Sequence, residues 1–298
     1  MKRFSGIFTP IVTPFTANDE LDEAAMRRNV AQWMRTPLDG LVVLGSNGEA
    51  PQLEDTEADR AIAIVREGVP REKALIAGTG RESTKATIAA THRAAALGVD
   101  AVLVRTPAFF KSQMTSDIFV RHYTEVADAS PVPVLLYNVT MFTGVNLMPD
   151  AVERLAAHPN IAGMKDSGTD VAQISEYVHR TPAHFTVLAG AAPTLFLSFC
   201  AGCDGAILAV AGVLPEMCVA LWQAVGDNRV AEARELQRRL LPIARSVGSV
   251  YGVAGLKAAL DLIGYSGGGP RPPLRPASSQ VIDVLKQQLA ALGVTVHA

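Results

Sequence analysis

Short apolar runs rich in valine, isoleucine and leucine recur eight times along the chain, at residues 7–12, 41–44, 74–77, 101–104, 134–137, 161–165, 186–188 and 206–208. Between them lie stretches with helical periodicity, among them residues 56–67, 83–97, 115–128, 148–157 and 170–179. Pro149 and Asp150 mark one helix start, and Gly98 marks a helix end. Continuous apolar strands alternating with amphipathic helices predict a parallel sheet covered on its outside. Eight such units match a (β/α)8 TIM barrel better than an open doubly wound sheet, which usually has fewer strands and often a nucleotide fingerprint. That fingerprint is missing: Gly78-Thr-Gly-Arg-Glu-Ser83 lacks the third glycine, and no P-loop pattern occurs.

Beyond the eighth run, helices are broken at Gly226-Asp-Asn228, between Gly248 and Gly252, and at the glycine- and proline-rich stretch that begins at Gly264. The expected organisation is an α/β barrel over residues 1–225 that carries the active site, followed by a helical extension over 226–298. With 298 residues, 49% of them hydrophobic, the chain can bury a large core. Its 27 basic and 29 acidic residues give a net charge of −2 without any run of like sign, which argues against nucleic acid or an anionic membrane as partner. No apolar stretch approaches the ~20 residues needed to cross a bilayer, and the first residues lack a signal-peptide core. A cytoplasmic location is expected. Cys200, Cys203 and Cys218 read as core thiols rather than a disulfide framework. The six histidines show no ligand spacing, so no metal is expected.

In a barrel of this kind the reacting groups stand at the C-terminal ends of the strands. Four polar groups fall there: Gly45-Ser-Asn-Gly-Glu49, Tyr137-Asn138, Lys165-Asp-Ser-Gly168 and Ala189-Gly190. Lys165 closes an apolar run, where a lysine is either salt-bridged or reactive. Burial favours a neutral amine, which can add to a carbonyl and form a Schiff base. The structural alternative is an ion pair with Asp166, although consecutive strand residues point to opposite sides. Tyr137 reads as a core ring or as a proton carrier. The turn at Ser46 and Asn47 is a βα connection or a carboxylate cradle of backbone N–H groups. Ser167 and Thr169 read as helix caps or substrate contacts.

At these residues the chain resembles the pyruvate-dependent class I aldolase family that contains N-acetylneuraminate lyase and dihydrodipicolinate synthase. The likeness covers nearly all of the chain. It rests on Gly45-Ser-Asn-Gly-Glu49, Thr106-Pro107, Tyr137-Asn-Val139 with Thr143-Gly144 beyond, and Lys165-Asp-Ser-Gly168. The resemblance implies an imine between Lys165 and a 2-oxo acid, usually pyruvate, with no cofactor. It further implies Tyr137 as proton carrier, Ser46 and Asn47 on the pyruvyl carboxylate, and a homotetramer. Ser167 and Gly190 are expected beside the imine, and Phe109, Phe110 and Phe142 around the aldehyde.

Two departures narrow the second substrate. Synthases of the family carry an arginine between Tyr-Asn-Val-Pro and Thr-Gly, whereas here the segment is Tyr137-Asn-Val-Thr-Met-Phe-Thr-Gly144. Losing that cation removes a charge-assisted contact worth about 1.5 to 3 kcal/mol, so aspartate semialdehyde is expected to be a poor partner. Phe109-Phe110 also replaces a tyrosine pair, one member of which enters the neighbouring subunit's site in those synthases. The chain is similar to the 4-hydroxy-2-oxoglutarate aldolase branch through Glu82-Ser-Thr84, the run from His158 to Gly168, Val187-Leu-Ala-Gly190 and Gly255-Leu-Lys257 with Gly264-Tyr265. The expected reaction is therefore cleavage of a 4-hydroxy-2-oxo acid to pyruvate and an aldehyde. Dihydrodipicolinate synthase and a hydratase-aldolase for larger oxo acids are the alternatives.

Overall fold

A computed structural model describes residues 4–297; Met1 to Arg3, which open the segment read for a signal peptide, lie outside the described residues, as does Ala298. The parallel strands β1 (Gly6–Pro10), β2 (Gly40–Val43), β3 (Ala74–Gly78), β4 (Ala101–Arg105), β5 (Val134–Asn138), β6 (Ile161–Asp166), β7 (Thr186–Ala189) and β8 (Gly205–Ile207) close into a barrel in sequence order. Helices α1 (Glu23–Trp33), α2 (Asp55–Gly68), α3 (Thr84–Ala96), α4 (Ser116–Ala129), α5 (Thr140–Thr143), α6 (Pro149–Ala156), α7 (Val171–Arg180) and α8 (Leu195–Cys200) lie between and after the strands. The chain then continues through α9 (Pro215–Gly226), α10 (Val230–Arg245), α11 (Gly252–Leu262) and α12 (Ser279–Ala291). The fold is the (β/α)8 TIM barrel with C-terminal helices that the alternating runs predict. No helix among the described residues is long and apolar enough to cross a membrane.

Two hydrophobic clusters divide the strand residues by parity. Phe8, Val42, Ile76, Leu103, Leu135 and Tyr137 belong to the cluster that fills the barrel. Ile7, Leu41, Leu75, Val102, Val134 and Leu136 pack outward beneath the helices. Strand β6 needs one irregularity to follow this rule. Val134 pairs with Ile161, but Leu135 pairs with Gly163, so Ala162 is an extra residue in the ladder. One inserted residue reverses the face of everything after it. Met164 therefore joins the outer cluster, and Lys165 pairs with Tyr137 on the inner side.

Two sequence expectations fail locally. The N-cap of α7 is Asp170, whose carboxylate accepts from the Gln173 amide at 3.1 Å, so neither Ser167 nor Thr169 is the cap. Cys200 is exposed, unlike Cys203 and Cys218, because it lies at the outer end of the short α8 rather than in the core.

Buried His122 on α4 places its Nδ1 2.9 Å from Thr84 Oγ1. Burial pulls its pKa from the ordinary 6.5 down to about 4. The unfolded chain therefore takes up a proton that the folded chain refuses. This histidine costs no stability above pH 6.5, and the penalty grows as pH falls toward 4, reaching about 3 kcal/mol. His122→Gln is expected to flatten the loss of urea midpoint between pH 7 and pH 4. An identical pH slope in variant and parent would refute this.

Candidate active site

Lys165, the penultimate residue of β6, faces the inside of the barrel and is only 5% exposed. Its Nζ stands 4.5 Å from the centroid of the Tyr137 ring, the residue it faces across the ladder. No ion pair to Asp166 forms, because Asp166 turns outward. There its carboxylate accepts from the Gly168 amide, from Asn138 Nδ2 at 3.4 Å and from Gln173 Nε2 at 3.5 Å. Burial raises the Asp166 pKa, and these donors oppose it. The lysine thus meets the cavity with the carboxylate of its strand neighbour turned away from it.

The Tyr137 hydroxyl lies 3.3 Å from Ser46 Oγ. Burial pushes the phenol up, but the Lys165 charge and hydrogen bonds with Ser46, Ser167 and Lys165 outweigh it, leaving the net shift downward. A buried phenol with an easily moved proton beside an amine can carry protons to and from a carbonyl oxygen. Ser46 and Asn47 belong to a 3₁₀ turn, Ser46–Gly48, that follows β2. Leu44 (φ 57°) and Glu49 (φ 56°) bracket it in the left-handed region, a costly conformation for residues with a side chain. Thr13 Oγ1 donates to the Gly48 carbonyl at 2.7 Å and fixes the turn's far end.

Gly190 follows β7 and lies against the lysine. A Cβ there would stand 2.3 Å from Ser167 Oγ, 2.9 Å from the Asp166 carbonyl oxygen and 2.9 Å from Lys165 Cε. Only glycine allows the amine its present position. Gly190→Ala is expected to cut the rate of trapping a carbonyl compound on Lys165 about 100-fold, the usual cost of a displacement near 1 Å. A rate within threefold of the parent would contradict this.

Ser46, Asn47, Tyr137, Phe142, Lys165, Ser167 and Gly190 line one cavity of about 280 Å³, in which Lys165 is the one charged side chain among the described residues. Phe109 instead lines an adjoining cavity of about 820 Å³, which Ser46 and Phe142 share. Phe110, 65% exposed, lines neither cavity and packs edge-on against the Phe109 ring, with centroids 5.1 Å apart. Gly248, Ser249, Gly252 and Val253 of the C-terminal helices also line the lysine cavity, and sequence reasoning missed them. Their signal was the glycine spacing from Gly248 to Gly252, read only as a helix break. It is a π-helical turn, Ser246–Val250, which widens the helix where it passes the barrel mouth.

A family model described as the dihydrodipicolinate synthetase family matches residues 3–292. The chain is 34% identical to 4-hydroxy-tetrahydrodipicolinate synthase of an Exiguobacterium species, over 93% of this chain and 94% of that protein. The crystal structure of dihydrodipicolinate synthase from Thermotoga maritima is similar with a TM-score of 0.93 and 32% identity, covering 98% of this chain and 99% of that one. YagE of Escherichia coli K12, a prophage protein of the dihydrodipicolinic acid synthase family crystallised with pyruvate, gives a TM-score of 0.91 and 32% identity with the same coverage.

Proposed function

Because the chain belongs to the dihydrodipicolinate synthetase family of aldolase-type carbon–carbon lyases, we propose that it forms a Schiff base between Lys165 and pyruvate and joins or cleaves a 4-hydroxy-2-oxo acid. The observation that carries this reading is Lys165, buried, turned into the barrel and set against Tyr137. Nζ adds to C2 of pyruvate and water leaves. C3 then gives up a proton to Tyr137, and the protonated imine accepts the electron pair of the broken C–H bond, giving an enamine. C3 of the enamine attacks the aldehyde carbon while Tyr137 gives a proton to the aldehyde oxygen; cleavage runs the same steps backward. Ser46 and Asn47 hold the pyruvyl carboxylate, and Ser167 and Gly190 frame the imine. Phe142 borders the aldehyde, with Phe109 at the edge of the wider cavity. No cofactor enters any step.

For the aldehyde, the lysine cavity offers no second cation and is bordered by Met141 and Phe142, which favours an uncharged aliphatic or aromatic partner. The 4-hydroxy-2-oxoglutarate branch fits less well, because its aldehyde, glyoxylate, carries a carboxylate. A second reading, 4-hydroxy-tetrahydrodipicolinate synthase, draws support from the names of the relatives above and from Lys111. That lysine lines the wider cavity, with its Nζ 2.9 Å from where a Cβ on Gly144 would stand, a place from which it could meet a second carboxylate.

Borohydride reduction with pyruvate, followed by peptide mass mapping, tests the imine; absence of an adduct on Lys165 would sink the proposal. A screen of aldehydes against the pyruvate enamine then separates the readings. Efficient condensation with aspartate semialdehyde, lost in Lys111→Met, would establish the synthase. Phe109, Phe110, Met141 and Phe142 are all more than half exposed and form an apolar patch at the barrel mouth. We infer that a second copy covers it in a homo-oligomer, with tetramer the family's usual form, and that the enzyme is cytoplasmic. Phe110→Asp is expected to lower the mass found by light scattering; a parent that is already monomeric would refute the inference.

A further inference from the structure

The mechanism leaves one buried lysine unused. Lys257 on α11 is 0% exposed, and it lines neither of the cavities at the barrel mouth. We propose that Lys257 and Glu49 are positioning residues, whose buried ion pair clamps the Ser46–Gly48 turn to the C-terminal helices and holds it in shape for the substrate carboxylate. This rests on the reading that Ser46 and Asn47 bind that carboxylate.

Lys257 Nζ lies 2.6 Å from Glu49 Oε1, and both side chains are almost wholly sealed from solvent. The same ammonium donates to the Gly269 carbonyl at 2.8 Å and stands 4.6 Å from the Phe15 ring centroid. The other carboxylate oxygen, Oε2, accepts from the Arg271 amide at 2.8 Å. Arg271 in turn donates to the Gln52 carbonyl at 3.0 Å and grips both carboxylate oxygens of Glu57, at 2.7 and 2.8 Å. The segment after the turn is therefore tied to the C-terminal part of the chain through several charged or hydrogen-bonded contacts.

Two observations point to positioning rather than to bulk stability. A buried ion pair stabilises a fold no better than a well-packed apolar pair, so its distinctive contribution is a single defined geometry. Glu49 is also one of the two left-handed residues that bracket the turn. Backbone in that region persists only where its surroundings over-determine it, and the Glu49 carboxylate is where those surroundings take hold. The turn so held presents Ser46 Oγ to the Tyr137 hydroxyl. Carboxylate binding is common to ground state and transition state, so loosening the turn raises the pyruvate concentration that half-saturates imine trapping and spares its maximum.

Lys257→Met is compared with the double variant Glu49→Leu/Lys257→Met, in which no buried charge is left unpaired and folding is expected to persist. In each folded variant the pyruvate concentration that half-saturates borohydride trapping on Lys165 is expected to rise about tenfold. Maximum trapping and the KM for the aldehyde stay within about twofold. A rise below threefold, or a loss of maximum trapping at unchanged half-saturation, overturns the proposal. Hydrogen exchange without pyruvate reads the clamp directly. Faster exchange confined to the peptide spanning residues 45–52 is expected in both variants, and parental rates there overturn the clamp. A parent that forms no adduct at all would defeat the imine reading, while the exchange measurement still decides the clamp.

Discussion

Lys165→Ala is expected to abolish turnover, with a loss of at least about 10⁴-fold and no pyruvate adduct after borohydride reduction. The size follows from covalent catalysis: without the amine there is no imine, and the carbanion at C3 has no electron sink. The variant should nevertheless fold. Lys165 has no ion pair among the described residues, so its removal leaves no buried carboxylate unpaired, and the cavity beside it can admit water. Its thermal midpoint is expected near that of the parent. A folded Lys165→Ala protein that retained more than about 1% of parental activity would exclude imine chemistry at this residue.

Tyr137→Phe is expected to separate imine formation from the aldol step. Borohydride trapping at saturating pyruvate should persist, because the amine and the Ser46–Gly48 turn remain. Turnover should fall about 10² to 10⁴-fold, the range over which a positioned proton donor acts. The pH profile gives a second check. Burial raises the phenol's pKa, but the Lys165 charge and the hydrogen bonds with Ser46, Ser167 and Lys165 bring it below the ordinary value of 10.0. The protonated donor is therefore lost on the alkaline side at a pH below that value. The parent should show a falling alkaline limb in kcat that the phenylalanine variant lacks. The same limb in both would assign it to another group.

Much of the barrel is legible in the sequence because two periodicities are physically distinct. Apolar runs such as Leu41 to Leu44 and Val134 to Leu136 suit strands covered on both faces, while the stretch that became α4 repeats its apolar residues at helical spacing. Once strands and helices are assigned, barrel topology brings Ser46, Tyr137, Lys165 and Gly190 to one mouth without further information. Phe109 and Phe110 behave differently. They sit on the loop after β4, whose path no periodicity dictates, and in the structure Phe109 lines the wider cavity while Phe110 lines neither. The helix cap at Asp170 rather than Ser167 or Thr169 is a small miss of the same kind. A capping residue is identified by where the helix begins, and Ser167, Thr169 and Asp170, all within four positions, could each have served.

The sequence by itself determined the architecture and brought a lysine, a tyrosine and a Ser-Asn turn to the ends of their strands, since strand order and strand end follow from local patterns. Which way Lys165 points was decided only in three dimensions. Counted by simple alternation from Ile161, which packs outward, Lys165 would also face outward, toward the helices. The extra residue at Ala162 reverses that phase and turns the amine into the barrel beside Tyr137. Such a bulge depends on how β6 pairs with β5, an interaction between segments that neither run specifies alone. The tie between Glu49 and Lys257 has the same origin: two charges far apart in the chain are buried together because the C-terminal helices close over the turn.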